Sequence, residues 1–208
     1  MHIVKNLLLT FLFLSAILLC AFGVLMTFRF DINKSIAATA FLIQQAGGRC
    51  NIFPIVKTLY YANRISLVEY GRPITGDRLI SMDKGPAVSE TYDLLKASPS
   101  ANEENLKQWQ QFISRRTGNA VWVVRAPNLD VLSEREKETL ARAWLVVKNV
   151  KGTLSEWSHN VFPEWKPTSG SSKTIDPREI LKLEKKTEDE ISEIESEISA
   201  VNWIRSIA

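Results

Sequence analysis

One stretch, Ile52 to Tyr70, constrains the fold more than any other, because it is fenced on both sides by residues that stop helices. Gly47-Gly48 lies upstream, Asn51 stands where a cap is needed, and Pro54 falls in the first turn, where its missing N–H costs nothing. Gly71 follows the last turn and Pro73 comes two residues later; Gly accepts the left-handed conformation and Pro cannot extend a helix. The spacing therefore predicts one long helix over Ile52–Tyr70. Before it, Asp31 can cap a helix from Ile32 to Ala46, with Ile36, Ala40 and Ile43 as its buried stripe.

Downstream, Leu79–Met82 is a short strand candidate, and Ala120–Val124 (AVWVV) is the strongest one by its β-branched and aromatic content. The two are candidates to pair. Between them, Ser89–Ala97 reads as a short helix, and Ser100 with Glu103 has capping-box spacing for a helix ending near Gly118. Ser133 and Glu136 repeat that spacing, and Leu140, Ala143, Trp144 and Val147 give the following helix an apolar side before Lys148, Lys151 and Gly152. The fold expected is mainly α, an α+β domain with a small β element. Lys166–Lys173 (KPTSGSSK) has linker composition. Beyond it, Ile191, Ile194, Ile198 and Val201 recur at helical spacing among glutamates. This tail reads as an acidic amphipathic helix that either packs on the domain or binds a partner.

From Leu7 to Phe28 the chain carries no charge over about the 20 residues that a helix needs to cross a membrane. A membrane anchor is the direct reading. Lys5 before the run, with Arg29, Lys34 and Arg49 after it, favours an inner-membrane, single-pass protein with its domain in the cytoplasm. Translation starting at Met26 is the alternative, and it gives a cytoplasmic domain without the anchor. The expected divisions are thus 1–29, 30–166, 167–174 and 175–208.

Composition excludes several classes. With 208 residues, 45% hydrophobic and 24% charged, the chain has room for one core with appendages and is neither fibrous nor disordered throughout. The formal net charge is only +3, and Lys and Arg are scattered, so nucleic acid is not an expected partner. Cys20 and Cys50 are the two cysteines, one in the apolar run and one after a Gly-Gly turn, and they are not expected to pair. Two histidines, His2 and His159, without CxxC or HExxH spacing, predict no metal site, and no cofactor is expected. Asp77, Asp83, Asp93 and His159 are the evident acid-base candidates; their spacing fits no catalytic template, so the chain is not expected to be an enzyme.

Three blocks in order carry the strongest signal: Lys57-Thr-Leu-Tyr-Tyr-Ala-Asn-Arg64, Tyr70-Gly-Arg-Pro-Ile-Thr-Gly-Asp-Arg78 and Met82-Asp-Lys-Gly-Pro86, with Tyr92-Asp93 beyond. Leu132-Ser133, Leu154-Ser-Glu-Trp-Ser-His159 and Pro163-Glu-Trp165 follow. Together they resemble the Panacea domain family, also called SocA-like or GepA-like, over about residues 30–166. The resemblance implies an antitoxin that binds a cognate protein toxin by direct contact. It also implies, in SocA-type systems, an adaptor that hands the toxin to a AAA+ protease. A membrane-tethered interaction scaffold is the alternative.

Within the motif, Gly71, Pro73, Gly76, Gly85 and Pro86 read as turn formers, and Leu59, Tyr60 and Ala62 as core. Arg64, Arg72, Asp77, Arg78 and Lys84 are the partner-binding candidates, since such charges either pair internally or face a partner. His159 between Trp157 and Trp165 reads, with Trp165, as a structural pair.

Overall fold

The structure, a computed structural model, describes residues 26–207. Phe28–Ile191 form one compact unit; of the described residues, Met26–Thr27 and Ser192–Ile207 cluster outside it. The expected anchor lies outside the described residues except for Met26–Phe28, which are not helical. Among the described residues, no helix is long and apolar enough to cross a membrane.

Helix α1 spans Ile32–Gln45, and Asp31 accepts the Lys34 N–H at 3.0 Å as expected. Strand β1 (Arg49–Asn51) leads directly into α2 (Ile52–Tyr70), the expected long helix. Asn51 makes no side-chain cap. Instead the Ile52 N–H donates to the Asn119 carbonyl at 2.8 Å, so a neighbouring strand satisfies the helix start. Gly71 adopts the left-handed conformation (φ 70°) and closes α2 through its N–H to Leu67.

Strands β2 (Leu79–Ser81) and β3 (Ala87–Val88) form a hairpin that runs into α3 (Ser89–Lys96) and α4 (Glu103–Trp109). Strand β4 (Ala120–Trp122), a 3₁₀ turn (Leu129–Val131), α5 (Glu134–Lys148) and α6 (Leu154–Val161) complete the expected domain. Strand β5 (Lys173–Thr174), α7 (Pro177–Leu183) and α8 (Glu188–Ile207) follow. The mainly helical fold with small sheets matches expectation. So does the α5 capping box, with Leu140, Ala143, Trp144 and Val147 buried as foreseen. α2 is the axis of the unit, buried along most of its length and packed most broadly on α5.

Local sequence misleads at four places. The two strand candidates do not pair: β2 lies between β3 and β5, whereas β4 pairs with β1, Cys50 opposite Val121. Only β3 is a near neighbour, folded back onto β2 by the Asp83–Pro86 turn; β4 takes the more distant β1, which follows the end of α1, and β5 closes the other edge of β2. The fourth helix is capped by Asn102, because the Ser100 hydroxyl turns to Asp93, and it stops at Trp109. Trp109 is buried there, and the chain reverses at Gly118 (φ 61°) into a hairpin that returns Ile113 to Val123. The Gly/Ser-rich run is not free: the Thr168 hydroxyl donates to Asp83 at 2.7 Å, and β5 adds Thr174 opposite Ile80. The tail beyond it forms two helices, with Ile180 and Leu181 of α7 in the core.

Candidate partner-binding site

The face of α2 that carries Lys57, Tyr60 and Arg64 organises the site, since these positions recur at the spacing of one helical side. At its C-terminal end, Tyr60 and Arg64 meet Glu164, which is wholly buried. The Tyr60 hydroxyl donates to Glu164 Oε1 at 2.6 Å, and Arg64 Nε donates to the same oxygen at 2.7 Å. Arg64 Nη2 also reaches Glu184 Oε1 at 2.7 Å. Burial, reinforced by the Glu164 carboxylate, holds the Tyr60 hydroxyl well above the usual tyrosine range. Phe162 packs edge-on against Tyr60 with ring centroids 5.0 Å apart. The Phe162-Pro163-Glu164-Trp165 run is thereby clamped to α2 through both its apolar and its charged members.

At the other end, the β2–β3 hairpin lies over α2. The Trp165 indole donates to the Met82 carbonyl at 2.8 Å, and His159 stacks on the Trp165 ring at 3.6 Å between centroids. Burial, followed by the nearby Lys57 charge, lowers the His159 pKa, and its Nε2 is buried without a partner among the described residues. Gly85 holds φ at +91°, and a Cβ there would sit 2.1 Å from Ser158 Oγ and 2.8 Å from Lys57 Nζ. Glycine is thus required both for the turn and for the close approach of the hairpin to α2.

Lys57 is the unexpected member. Only 1% exposed, it donates from Nζ to the Pro86 carbonyl at 2.7 Å, and burial lowers its pKa to about 7. Beside it opens a pocket of about 260 Å³ between α2 and the hairpin, lined by Phe53, Met82, Lys84 and Tyr92 among others.

The five partner-binding candidates separate by burial. Arg64 pairs internally, as described. Asp77 is also buried and caps α3 from outside that helix, accepting the Glu90 and Thr91 N–H groups at 2.9 Å each. It substitutes for Val88, which has no side chain able to cap. Arg78 is exposed at the base of the hairpin, donating to Ser89 at 2.9 Å and lying 3.5 Å from Glu90. Arg72 and Lys84 are exposed, with no ion pair among the described residues. Of the turn formers, Gly76 (φ 63°) would place a Cβ 2.0 Å from the Arg29 carbonyl, Pro73 and Pro86 are buried, and the Arg72 carbonyl after Gly71 accepts from Ser66 at 2.7 Å.

Two contributors, Lys57 and Glu164, were not singled out by the sequence, although each is a charge set beside apolar residues within the motif blocks. Such a setting is the signal that finds them. Among the described residues, no group of His, Cys, Asp and Glu is placed to hold a metal ion. What the arrangement offers is fixed charge beside a shaped recess.

Residues 55–166 match the family model described as Antitoxin SocA-like, Panacea domain, which is more than half of the 208 residues. No curated protein and no solved structure matches the chain.

Proposed function

Because the chain belongs to the SocA-like antitoxin, Panacea domain family, we propose that it is the antitoxin of a toxin-antitoxin pair, binding a cognate protein toxin and neutralising it by direct contact. The observation that carries this is the family match, which takes in α2, the β2–β3 hairpin and the Pro163-Glu164-Trp165 clamp together. Exposed Arg72 and Lys84 on the same motif supply charge that the fold itself does not use, which suits a partner with an acidic surface. Delivery of the toxin to a AAA+ protease is a further step of the same reading. Where the run Leu7–Phe28 is translated, the antitoxin works at the inner face of the membrane; from Met26 it works in the cytoplasm.

The test is co-expression of the neighbouring open reading frame, alone and with chains beginning at Met1 or Met26. Growth arrest relieved by both chains is the expected result. A toxic neighbour relieved by neither chain refutes the antitoxin reading, and an unchanged toxin half-life on relief refutes the adaptor step.

A further inference from the structure

Lys57 is a buried amine whose charged form meets no counter-charge among the described residues. An ammonium has three N–H donors, and one of them goes to Pro86; no carboxylate lies within ion-pair distance of it among the described residues. An uncompensated buried charge is expensive, so such a group is either paired or driven towards its neutral form, as Lys57 is, and a carboxylate brought to it would restore the charge. Arg64, on the same helix face, shows that this fold can pair such a charge. The pocket beside Lys57 is lined by apolar Phe53, Val56 and Met82, by a second cation, Lys84, in the hairpin turn, and by Tyr92. Asp83 also lines it, but its carboxylate is occupied by the Thr168 hydroxyl and by the Gly170 N–H at 2.9 Å. The volume of about 260 Å³ falls just below the roughly 300–1,000 Å³ of cofactor and drug-sized sites. It suits a single side chain, and anchors of this kind dominate protein interfaces.

We propose that this pocket is a carboxylate receptor in which Lys57 pairs with an acidic side chain of the toxin. The inference rests on the antitoxin reading for the source of the carboxylate, but not for the receptor itself. Lys57 supplies a charge-assisted hydrogen bond at the wall of the recess, and Lys84 adds a second cation to its lining.

Two arms test it. In the first, the full-length chain labelled with ¹³C-lysine, held in mild detergent, is titrated with sodium acetate against sodium chloride at equal ionic strength. A saturable shift of the Lys57 Cε resonance with acetate alone is expected; no saturable shift, or the same shift with chloride, overturns the receptor. In the second, toxin affinity is compared between wild type and Lys57→Met, with thermal melting followed in parallel. At least a tenfold loss of affinity with undiminished melting temperature is expected. Lys57→Met binding the toxin as wild type does, while acetate still titrates Lys57, assigns the pocket to a free carboxylate and overturns the toxin as its source. A wild-type chain that captures no toxin refutes the functional reading and that source with it, while the acetate arm still reads the receptor.

Discussion

Lys57 and Arg64 stand two turns apart on the same side of α2, both withdrawn from solvent, and the protein treats them oppositely. Arg64 is met by Glu164 and Glu184, each at 2.7 Å, on carboxylates carried by the clamp and by the end of α7. Lys57 is met by one backbone carbonyl and by the ring of Phe53, 5.3 Å away. A guanidinium that spans two carboxylates ties three segments together, so Arg64 belongs to the architecture. An amine with donors to spare beside a recess ties α2 to the hairpin through one hydrogen bond only, and the desolvation of its charged form lowers stability. One end of the helix face is therefore organised for folding, and the other is where we place the partner's carboxylate.

The contrast is most directly broken at Arg64. Arg64→Met leaves Glu164 buried without its cation and is expected to cost about 3–5 kcal/mol, read as a lowered denaturant midpoint at unchanged slope. Equal stability of this variant and wild type would put Arg64 in the same class as Lys57.

Lys57→Met is expected to act in the opposite direction. Burial brings the folded pKa down from 10.5 to about 7, so between those values the unfolded chain holds a proton that the folded chain lacks. Stability therefore rises with pH across that window on account of Lys57. Removing the amine should raise the unfolding free energy by a few kcal/mol at or below pH 7, with the gain fading towards pH 10. Denaturant titrations of both chains at pH 6, 7, 8 and 9.5 check this, and a gain independent of pH would show that packing, not charge, is responsible.

Gly85→Ala sharpens the comparison from above, because the added methyl group meets Ser158 Oγ and Lys57 Nζ while the backbone holds a positive φ. A loss of about 1–3 kcal/mol is expected, seen as a lower melting temperature, with the hairpin displaced from Lys57. The smallest effect on stability belongs to the double change Arg72→Glu and Lys84→Glu, both exposed: within about 0.5 kcal/mol of wild type, with toxin binding lost in a pull-down. Unfolding of that variant would remove the pair from the partner surface.

The elements whose ends are written locally were legible in the chain. Asp31 capping α1, Gly71 ending α2 and the Ser133–Glu136 box opening α5 each use groups within a few residues of one another. Element pairing was not legible in the same way. Ala120–Trp122 and Leu79–Ser81 look alike as isolated strands, and which partners they take follows from the turn at Gly85 and the delivery of β1 by α1. The site divided similarly. Charge on Arg64 and Asp77 was visible, but that both would be consumed inside the fold depended on where Glu164, Glu184 and the start of α3 came to rest.

By itself, then, the sequence determined the helical frame, its stops and the family to which the motif belongs, because capping, turn formation and hydrophobic periodicity act over a few residues. Only the tertiary structure decided which charge is satisfied. Ion pairing is set by distance in space, and the carboxylates that reach Arg64 lie a hundred or more residues further along the chain, while none among the described residues reaches Lys57.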